Sequence, residues 1–268
     1  LGNLDEAVAS FQNVLTLNPV HAEAHNNLGG VLKDLGKLEE AVVNWRKAIS
    51  IDQKYVEAHY NLGRALSDLG EQEEAVASYQ IALAINPNYI EAHNSLGNSL
   101  RTLEKLNEAA ISFSRALAIN PDFIAGHNNL GGVLHAMGQF DEAANSYRRA
   151  LADNSNFDAR INLGVLLKDL GKLDEALIQY DQVLEFDPEN RSAHNKKSTT
   201  LLLLGELEKG WLEYEWRWKR TSEPLIQRNF PQPRWNGESL KGKSILIWGE
   251  QGLGDEISFS SMVPDLVS

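Results

Sequence analysis

The sequence repeats itself every 34 residues, and this period constrains the fold more than any other feature of the chain. A Leu-Gly pair recurs in register, and its glycines are Gly29, Gly63, Gly97 and Gly131. The next glycine of the same pattern, Gly164, follows after 33 residues. A period of this length is typical of an array in which each unit is a helix, a turn and a second helix.

One unit, residues 56–89, shows how the repeat builds two packed helices. With Val56 as position one, an apolar stripe occupies positions four, seven, eight and eleven, which share one face of a helix. A glycine then stops this first helix, because glycine takes the left-handed conformation at least cost. A second stripe follows, and a proline closes the unit because it cannot continue a helix. The residues that carry the pattern are His59, Leu62, Gly63, Leu66, Gly70, Ala75, Tyr79, Ala82 and Pro87.

The unit resembles the tetratricopeptide repeat, whose signature positions hold the leucines, the first glycine, the alanines, the tyrosine and the proline named above. The resemblance implies a mainly α fold, an α-solenoid in which helix pairs stack into a right-handed superhelix. We expect the solenoid to span residues 1–220. Its parts are a partial repeat at 1–21, complete units at 22–55, 56–89, 90–123 and 124–157, a shortened unit at 158–190 and a degenerate capping unit at 191–220.

The C-terminal region has a different pattern. Residues 221–243 contain three prolines and few periodic apolar residues, which indicates a linker. Residues 244–248 are typical of a buried strand of a parallel sheet, and a loop with Gly249, Gly252 and Gly254 follows. A strand, a glycine-rich loop and a helix start predict the opening of an α/β domain at 244–268. Asp255 begins that helix, either as its N-cap or as a catalytic base.

Three motifs together resemble bacterial repeat-containing glycosyltransferase-like proteins. They are Gly-Trp-x-x-Tyr-Glu-Trp-Arg-Trp at 210–218, Pro-Arg-Trp-Asn-Gly-Glu-x-Leu-x-Gly-Lys at 233–243 and Gly-Glu-Gln-Gly-Leu-Gly-Asp-Glu-Ile-x-Phe at 249–259. Those proteins are similar to the O-linked N-acetylglucosamine transferases in their repeats and to the heptosyltransferases in their Gly-Asp loop. The resemblance implies a GT-B transferase with Rossmann-like domains, Asp255 as base and a nucleotide sugar as cofactor of the full-length protein. The domain that binds the nucleotide sugar in that family is absent here, so this chain alone is expected to hold no cofactor and to be inactive.

Polar side chains recur at position six of the units, and these are Asn27, Asn61, Ser95, Asn129 and Asn162. At 100° per residue this position lies opposite the packed stripe and faces outward. In the O-linked N-acetylglucosamine transferases, asparagines at this position hold a peptide backbone, and an amide suits that role because it both donates and accepts. The alternative is a solvated polar face that the repeat has simply copied. The sequence leaves both interpretations open.

Two other residue sets allow a structural and a functional interpretation. Histidines stand at position four in five units, but no two of them are spaced to share a metal on one helix, so packing is the favoured interpretation. They are His25, His59, His93, His127 and His194. Trp211, Tyr214 and Trp218 share one helix face, which favours packing against the following segment over stacking on a sugar or cofactor.

Composition narrows the possible functions. The formal charge of −12 argues against a nucleic-acid binder, and no apolar run is long enough to span a membrane, so a cytoplasmic location is expected. Because Leu1 is not a methionine and the last residues carry no terminating signal, we interpret the sequence as a fragment. Two functions follow: a scaffold that presents protein or peptide clients to an attached glycosyltransferase-like domain, or a repeat adaptor whose C-terminal segment is only a structural cap.

Overall fold

The computed structural model describes residues 2–152 and 156–216, which form thirteen α-helices and contain no strand. The helices are α1 Gly2–Leu17, α2 Ala22–Asp34, α3 Leu38–Ile51, α4 Val56–Asp68, α5 Gln72–Ile85, α6 Ile90–Thr102, α7 Leu106–Ile119, α8 Ile124–Ala136, α9 Phe140–Ala150, α10 Phe157–Asp169, α11 Leu173–Phe186, α12 Arg191–Leu204 and α13 Leu207–Tyr214. The predicted α-solenoid is therefore confirmed for this part of the chain. The predicted linker and α/β segment lie outside the described residues.

From α2 onward, even-numbered helices are the first helices of their units and odd-numbered helices are the second. The unit that begins at Ile124 is the short one, because α10 begins at Phe157, only 33 residues later. The shortening therefore lies at the junction where the sequence places it, and the predicted boundary at 158 is one residue after the start of α10. α9 has 11 residues where α3, α5, α7 and α11 have 14, and a longer connection after it makes up two of the three.

In five units a glycine of the first helix packs against an aromatic ring of the second. A Cβ placed on Gly97 would lie 2.6 Å from Phe113, and one on Gly164 would lie 2.5 Å from Tyr180. Any larger residue would therefore push the two helices apart. The rings at this position are at most 2% exposed, and they are Trp45, Tyr79, Phe113, Tyr147 and Tyr180.

The turn between the two helices of a unit is a Schellman motif. In the unit of α4 and α5, Gly70 has φ +85°, its N–H donates to the carbonyl of Ser67, and the N–H of Glu71 donates to the carbonyl of Leu66. The same left-handed glycine recurs at Gly36, Gly138, Gly171 and Gly205. The turn after α6 has Glu104 instead, at φ 60°, a conformation that costs a residue with a Cβ about 1 kcal/mol or more.

Successive first helices contact one another directly, as α2 does with α4 and α4 with α6. No such contact recurs between successive second helices in the described part of the chain. The first helices are therefore closer together and line one side of the stack. We call the exposed face of the first helices the inner surface.

The last unit replaces the Leu-Gly pair with Lys197 and Ser198. The Nζ atom of Lys197 lies 2.8 Å from Asp181 Oδ1 and 2.9 Å from Glu213 Oε1. The other carboxylate oxygen of Glu213 bonds Nδ1 of His194. A half-buried group of charges thus stands where the other units have leucine, and each charge has a partner, as burial requires.

The partners set the pKa values of this group. Burial alone would raise the pKa of Glu213, but the hydrogen bonds from His194 and Lys197 outweigh it and hold the pKa below its usual value. Burial alone would lower the pKa of Lys197, but Asp181 and Glu213 outweigh it and raise the pKa. A carboxylate with a lowered folded-state pKa stabilises the fold above its unfolded-state pKa and loses that contribution as the pH falls.

We predict that Gly97→Leu lowers the free energy of unfolding by about 1–3 kcal/mol, because the side chain would overlap Phe113. Urea denaturation followed by circular dichroism measures the change. Gly30→Leu is the matched control, since nothing lies within 4 Å of a Cβ at Gly30 on α2. That control should be neutral or slightly stabilising, because glycine is a poor helix former. Equal losses in both variants would contradict the close helix approach.

We predict that Glu104→Gly raises the free energy of unfolding by about 1 kcal/mol, because glycine relieves the left-handed conformation. The control is Glu71→Gly, at the neighbouring turn position with φ −81°, where added backbone freedom should destabilise the protein. Thermal denaturation of both variants beside the wild type provides the comparison. A lower midpoint for Glu104→Gly than for the wild type would rule out strain at this turn.

We predict that Glu213→Gln lowers the opening free energy of α12 and α13 by about 1–3 kcal/mol at neutral pH, because Lys197 and His194 lose a charged acceptor. In the wild type this free energy should fall as the pH drops below about 4.5, the ordinary value for glutamate. The variant should lack that part of the pH dependence. Hydrogen exchange corrected for intrinsic rates measures both effects, with the exposed Glu206→Gln as control. The same pH profile in both variants would contradict the role of Glu213.

Candidate functional site

The predicted position-six residues all lie on first helices at the inner surface. Asn27 is exposed, while Asn61, Ser95, Asn129 and Asn162 are half-buried. They are therefore outside the packed core, as the helical spacing predicts. Each belongs to a different unit, so the row extends over five successive first helices, from α2 to α10.

Three of these asparagines are held by a second asparagine on the preceding first helix. Nδ2 of Asn61 donates to Oδ1 of Asn26 at 3.2 Å. The same bond joins Asn129 to Asn94 at 2.9 Å and Asn162 to Asn128 at 3.0 Å. We call these three bonds the asparagine pairs. Each one joins position six of a unit to position five of the unit before it.

The sequence analysis missed the position-five partners, although the sequence contains a signal for them. Position five holds Tyr60 in one unit, and position six of the next unit is then Ser95 rather than asparagine. Position five holds Ile161 in another unit, and position six of the next unit is then Lys196. Wherever a complete unit precedes, position six is asparagine after an asparagine at position five and another residue after Tyr60 or Ile161.

The hydrogen bond in each asparagine pair fixes the orientation of the position-six side-chain amide, because its nitrogen must point toward the preceding first helix. An asparagine side chain has two N–H donors and one oxygen acceptor, and Asn61 uses one N–H on Asn26. Its second N–H and its oxygen have no partner within the described residues. Asn26 in turn donates to Oδ1 of Asn27 at 3.2 Å, so one chain of amides joins α2 to α4. Each position-six amide therefore keeps a donor and an acceptor for a ligand.

Charged side chains border the row of asparagines at the two ends of the first helices. Near the N-terminal ends, position two holds the exposed acids Glu23, Glu57 and Glu91. Near the C-terminal ends, polar contacts join successive first helices: an ion pair from Lys33 to Asp68 at 3.4 Å and a hydrogen bond from Nε2 of His135 to Asp169 at 3.0 Å. The inner surface thus has an acidic border on one side and mostly paired charges on the other.

The centre of the inner surface is aromatic where Tyr60 interrupts the asparagine pairs. The rings of Tyr60 and Tyr89 lie 4.8 Å apart, and the guanidinium of Arg64 lies 5.7 Å from the centre of the Tyr60 ring. Burial, with the neighbouring Tyr60 and glutamates, raises the pKa of Tyr89 to about 12. Its phenol therefore stays neutral at physiological pH and can both donate and accept a hydrogen bond.

The position-four histidines pack inside the units, as the sequence interpretation predicted. They are 4–7% exposed. In each of the five, Nε2 lies 2.7–3.2 Å from the backbone carbonyl six residues earlier, at Pro19, Gln53, Pro87, Pro121 and Pro188. A carbonyl oxygen only accepts, so Nε2 carries the proton and donates. The histidines therefore tie each first helix to the end of the preceding unit.

The remaining predicted site residues give a mixed result. Trp211 and Tyr214 meet edge to face at 5.6 Å, and Tyr214 occupies the position of the closing aromatic ring. Trp218, Gly249, Gly252, Gly254 and Asp255 lie outside the described residues, so neither the sugar-stacking nor the base hypothesis is tested. A cavity of about 640 Å³ lies between α1, α2 and α3, but none of the position-six residues lines it.

Family models identify the class of the protein. A model described as TPR repeat matches residues 29–70, 63–103 and 97–138, and a model described as Tetratricopeptide repeat matches residues 1–49 and 129–191. Together they cover residues 1–191. The chain belongs to the tetratricopeptide repeat family, whose members are scaffolds that bind peptides and proteins.

Individual proteins share parts of this chain. A stretch of 102 residues is 36% identical to Protein FlbA of Caulobacter vibrioides and covers 37% of this chain but only 17% of FlbA. A tetratricopeptide repeat protein from Parabacteroides merdae has a TM-score of 0.69 at 21% identity, over 84% of this chain and 90% of its own. YrrB, described as a TPR protein with an unusual peptide-binding site, has a TM-score of 0.58 at 24% identity. The match covers 68% of this chain and 95% of the YrrB chain. The two structures share the fold of this chain. None of the described helices of this chain is long and apolar enough to cross a membrane.

Proposed function

We propose that the inner surface binds an extended peptide segment of a client protein through its position-six side chains. The observation that carries the proposal is the asparagine pairs, which hold Asn61, Asn129 and Asn162 in a defined orientation at the surface. A merely solvated asparagine would not need a partner on the neighbouring helix. Each pair instead leaves one donor and one acceptor toward the solvent, the two groups that a peptide backbone matches.

The spacing of the row suits an extended chain. Packed helices lie about 8–10 Å apart, and an extended peptide advances about 3.3 Å per residue. One amide would therefore meet about every third residue of the client. Each net hydrogen bond contributes about 0.5–1.5 kcal/mol, so the row supports weak binding that tolerates many sequences. YrrB, which shares the fold, is itself described as binding a peptide.

An adaptor needs no more than this surface, and the adaptor function is the one that the described residues support. Attachment to a glycosyltransferase-like domain, with Asp255 as base and a nucleotide sugar as cofactor, stays a prediction. It depends on residues 244–268 and on a domain beyond them. Peptide binding at the inner surface is common to both functions, so the same experiment tests that step for either one.

We predict that Asn61→Ala combined with Asn129→Ala weakens peptide binding about fivefold or more, because two backbone contacts are lost. The probe is a peptide of about twelve threonine, glutamine and valine residues, long enough for about four units at 3.3 Å per residue. NMR titration measures the affinity and also the shifts of the asparagine side-chain amides. In the wild type, the amides of Asn61 and Asn129 should shift.

The matched control replaces two exposed asparagines of second helices, Asn107 on α7 and Asn145 on α9, with alanine. It should bind the peptide as the wild type does. Circular dichroism checks that both double variants keep their helices. If the peptide shifts amides of the control residues instead, or binds both double variants equally, the inner surface is not the binding site.

A further inference from the structure

Two arginines at the centre of the inner surface have no acidic partner. Arg64 on α4 and Arg101 on α6 are exposed, and neither forms an ion pair within residues 2–152 and 156–216. The one contact found for the guanidinium of Arg64 is the ring of Tyr60. Most other charges near the C-terminal ends of the first helices are paired, so two unpaired cations in this place need an explanation.

The neighbouring units show what is missing at Arg101. In two units the residue at position twelve bonds an aspartate at position thirteen of the next unit: Lys33 forms an ion pair with Asp68, and Nε2 of His135 forms a hydrogen bond with Asp169. Arg101 also stands at position twelve, but position thirteen of the next unit is Ala136. Arg101 therefore lacks an acid at the position that pairs with Lys33 and His135, whereas Lys168, the other cation at position twelve, pairs with Asp169 beside it.

A glycine of the next first helix lies beside Arg101. A Cβ placed on Gly132 of α8 would lie 3.7 Å from Nη1 of Arg101. Because Gly132 has no side chain, no side-chain atom from this position covers the guanidinium of Arg101. Arg64 stands on the adjacent first helix beside Tyr60, the residue at which the asparagine pairs are interrupted. On α4 and α6, the inner surface therefore carries two arginines and the rings of Tyr60 and Tyr89 where an asparagine pair is missing.

We propose that the client peptide carries an aspartate or glutamate side chain where it passes α4 and α6, and that Arg64 and Arg101 bind its carboxylate. This inference rests on the proposed peptide binding. Arginine suits the role because its planar guanidinium gives two parallel hydrogen bonds to a carboxylate. Glu57 and Glu91 at the opposite border repel the same group, so the acidic side chain lies toward the C-terminal ends of the first helices. The formal charge of −12 repels acidic peptides at long range, so the preference is local.

The test compares three versions of the neutral probe peptide, with two central residues that are both glutamate, both glutamine or both lysine. The wild type should bind the glutamate peptide about threefold to tenfold more tightly than the glutamine peptide, and the lysine peptide most weakly. The preference should shrink as salt is raised, since exposed ion pairs are screened. Arg64→Gln combined with Arg101→Gln should remove the preference, so that this variant binds the glutamate and glutamine peptides about equally.

The control variant, Arg115→Gln with Arg149→Gln, changes the net charge equally but lies on the second helices α7 and α9. It should keep the preference for glutamate. Equal binding of the glutamate and glutamine peptides by the wild type would overturn this inference alone. The same loss of preference in both double variants would also overturn it, because the effect would then be one of net charge. Binding of none of the three peptides would overturn the proposed peptide binding as well.

Discussion

The contact between a glycine and an aromatic ring within five of the units determines the rest of the structure. Because Gly97 has no side chain, α6 lies directly on the ring of Phe113, and the same approach recurs in four other units. Each pair of closely packed helices has nearly the same shape, and units of the same shape stack with a constant displacement from one to the next. The constant displacement brings equivalent positions of successive first helices together, and only then can Asn61 reach Asn26. The arrangement of the inner surface therefore depends on the packing between the first and second helices of each unit.

The sequence was sufficient for everything that depends on one unit. The alternation of helices, the left-handed glycine at Gly70 and the inward histidines all follow from local periodicity, and the structure contains each of them. The sequence analysis was incomplete where the answer depends on two units. The early end of α9 at Ala150 was not predicted, because no glycine or proline marks it in the sequence. The asparagine pairs were missed because position five has no partner until the next unit is placed beside it.

In the last unit, too, the residue at one position depends on the residues that contact it from other helices. A leucine at position seven of an inner unit is covered by its neighbours, but Lys197 in the last unit is half-buried and pairs with Asp181 and Glu213. The partners change together with the lysine, since position 23 holds asparagine, serine or glutamine in the other units and Glu213 here. Buried charges that are paired cost little more than apolar packing, whereas one left alone is strongly destabilising. The unit therefore keeps the fold while exchanging one core contact for a polar one.

The residues that build the solenoid differ from those that form its inner surface. In five units positions eight and 24 hold a glycine and the ring that packs on it, whereas the last unit has Ser198 and Tyr214 there. Apart from the buried Ile161, positions five and six lie outside the core, and they are coupled between units, since Tyr60 is matched by Ser95 and Asn94 by Asn129. A change at position five therefore alters the surface of its own unit and the orientation of the amide in the next. For this reason the single substitution of tyrosine at position five, Tyr60, removes one asparagine pair between Asn61 and Asn129 and leaves the pairs on either side intact.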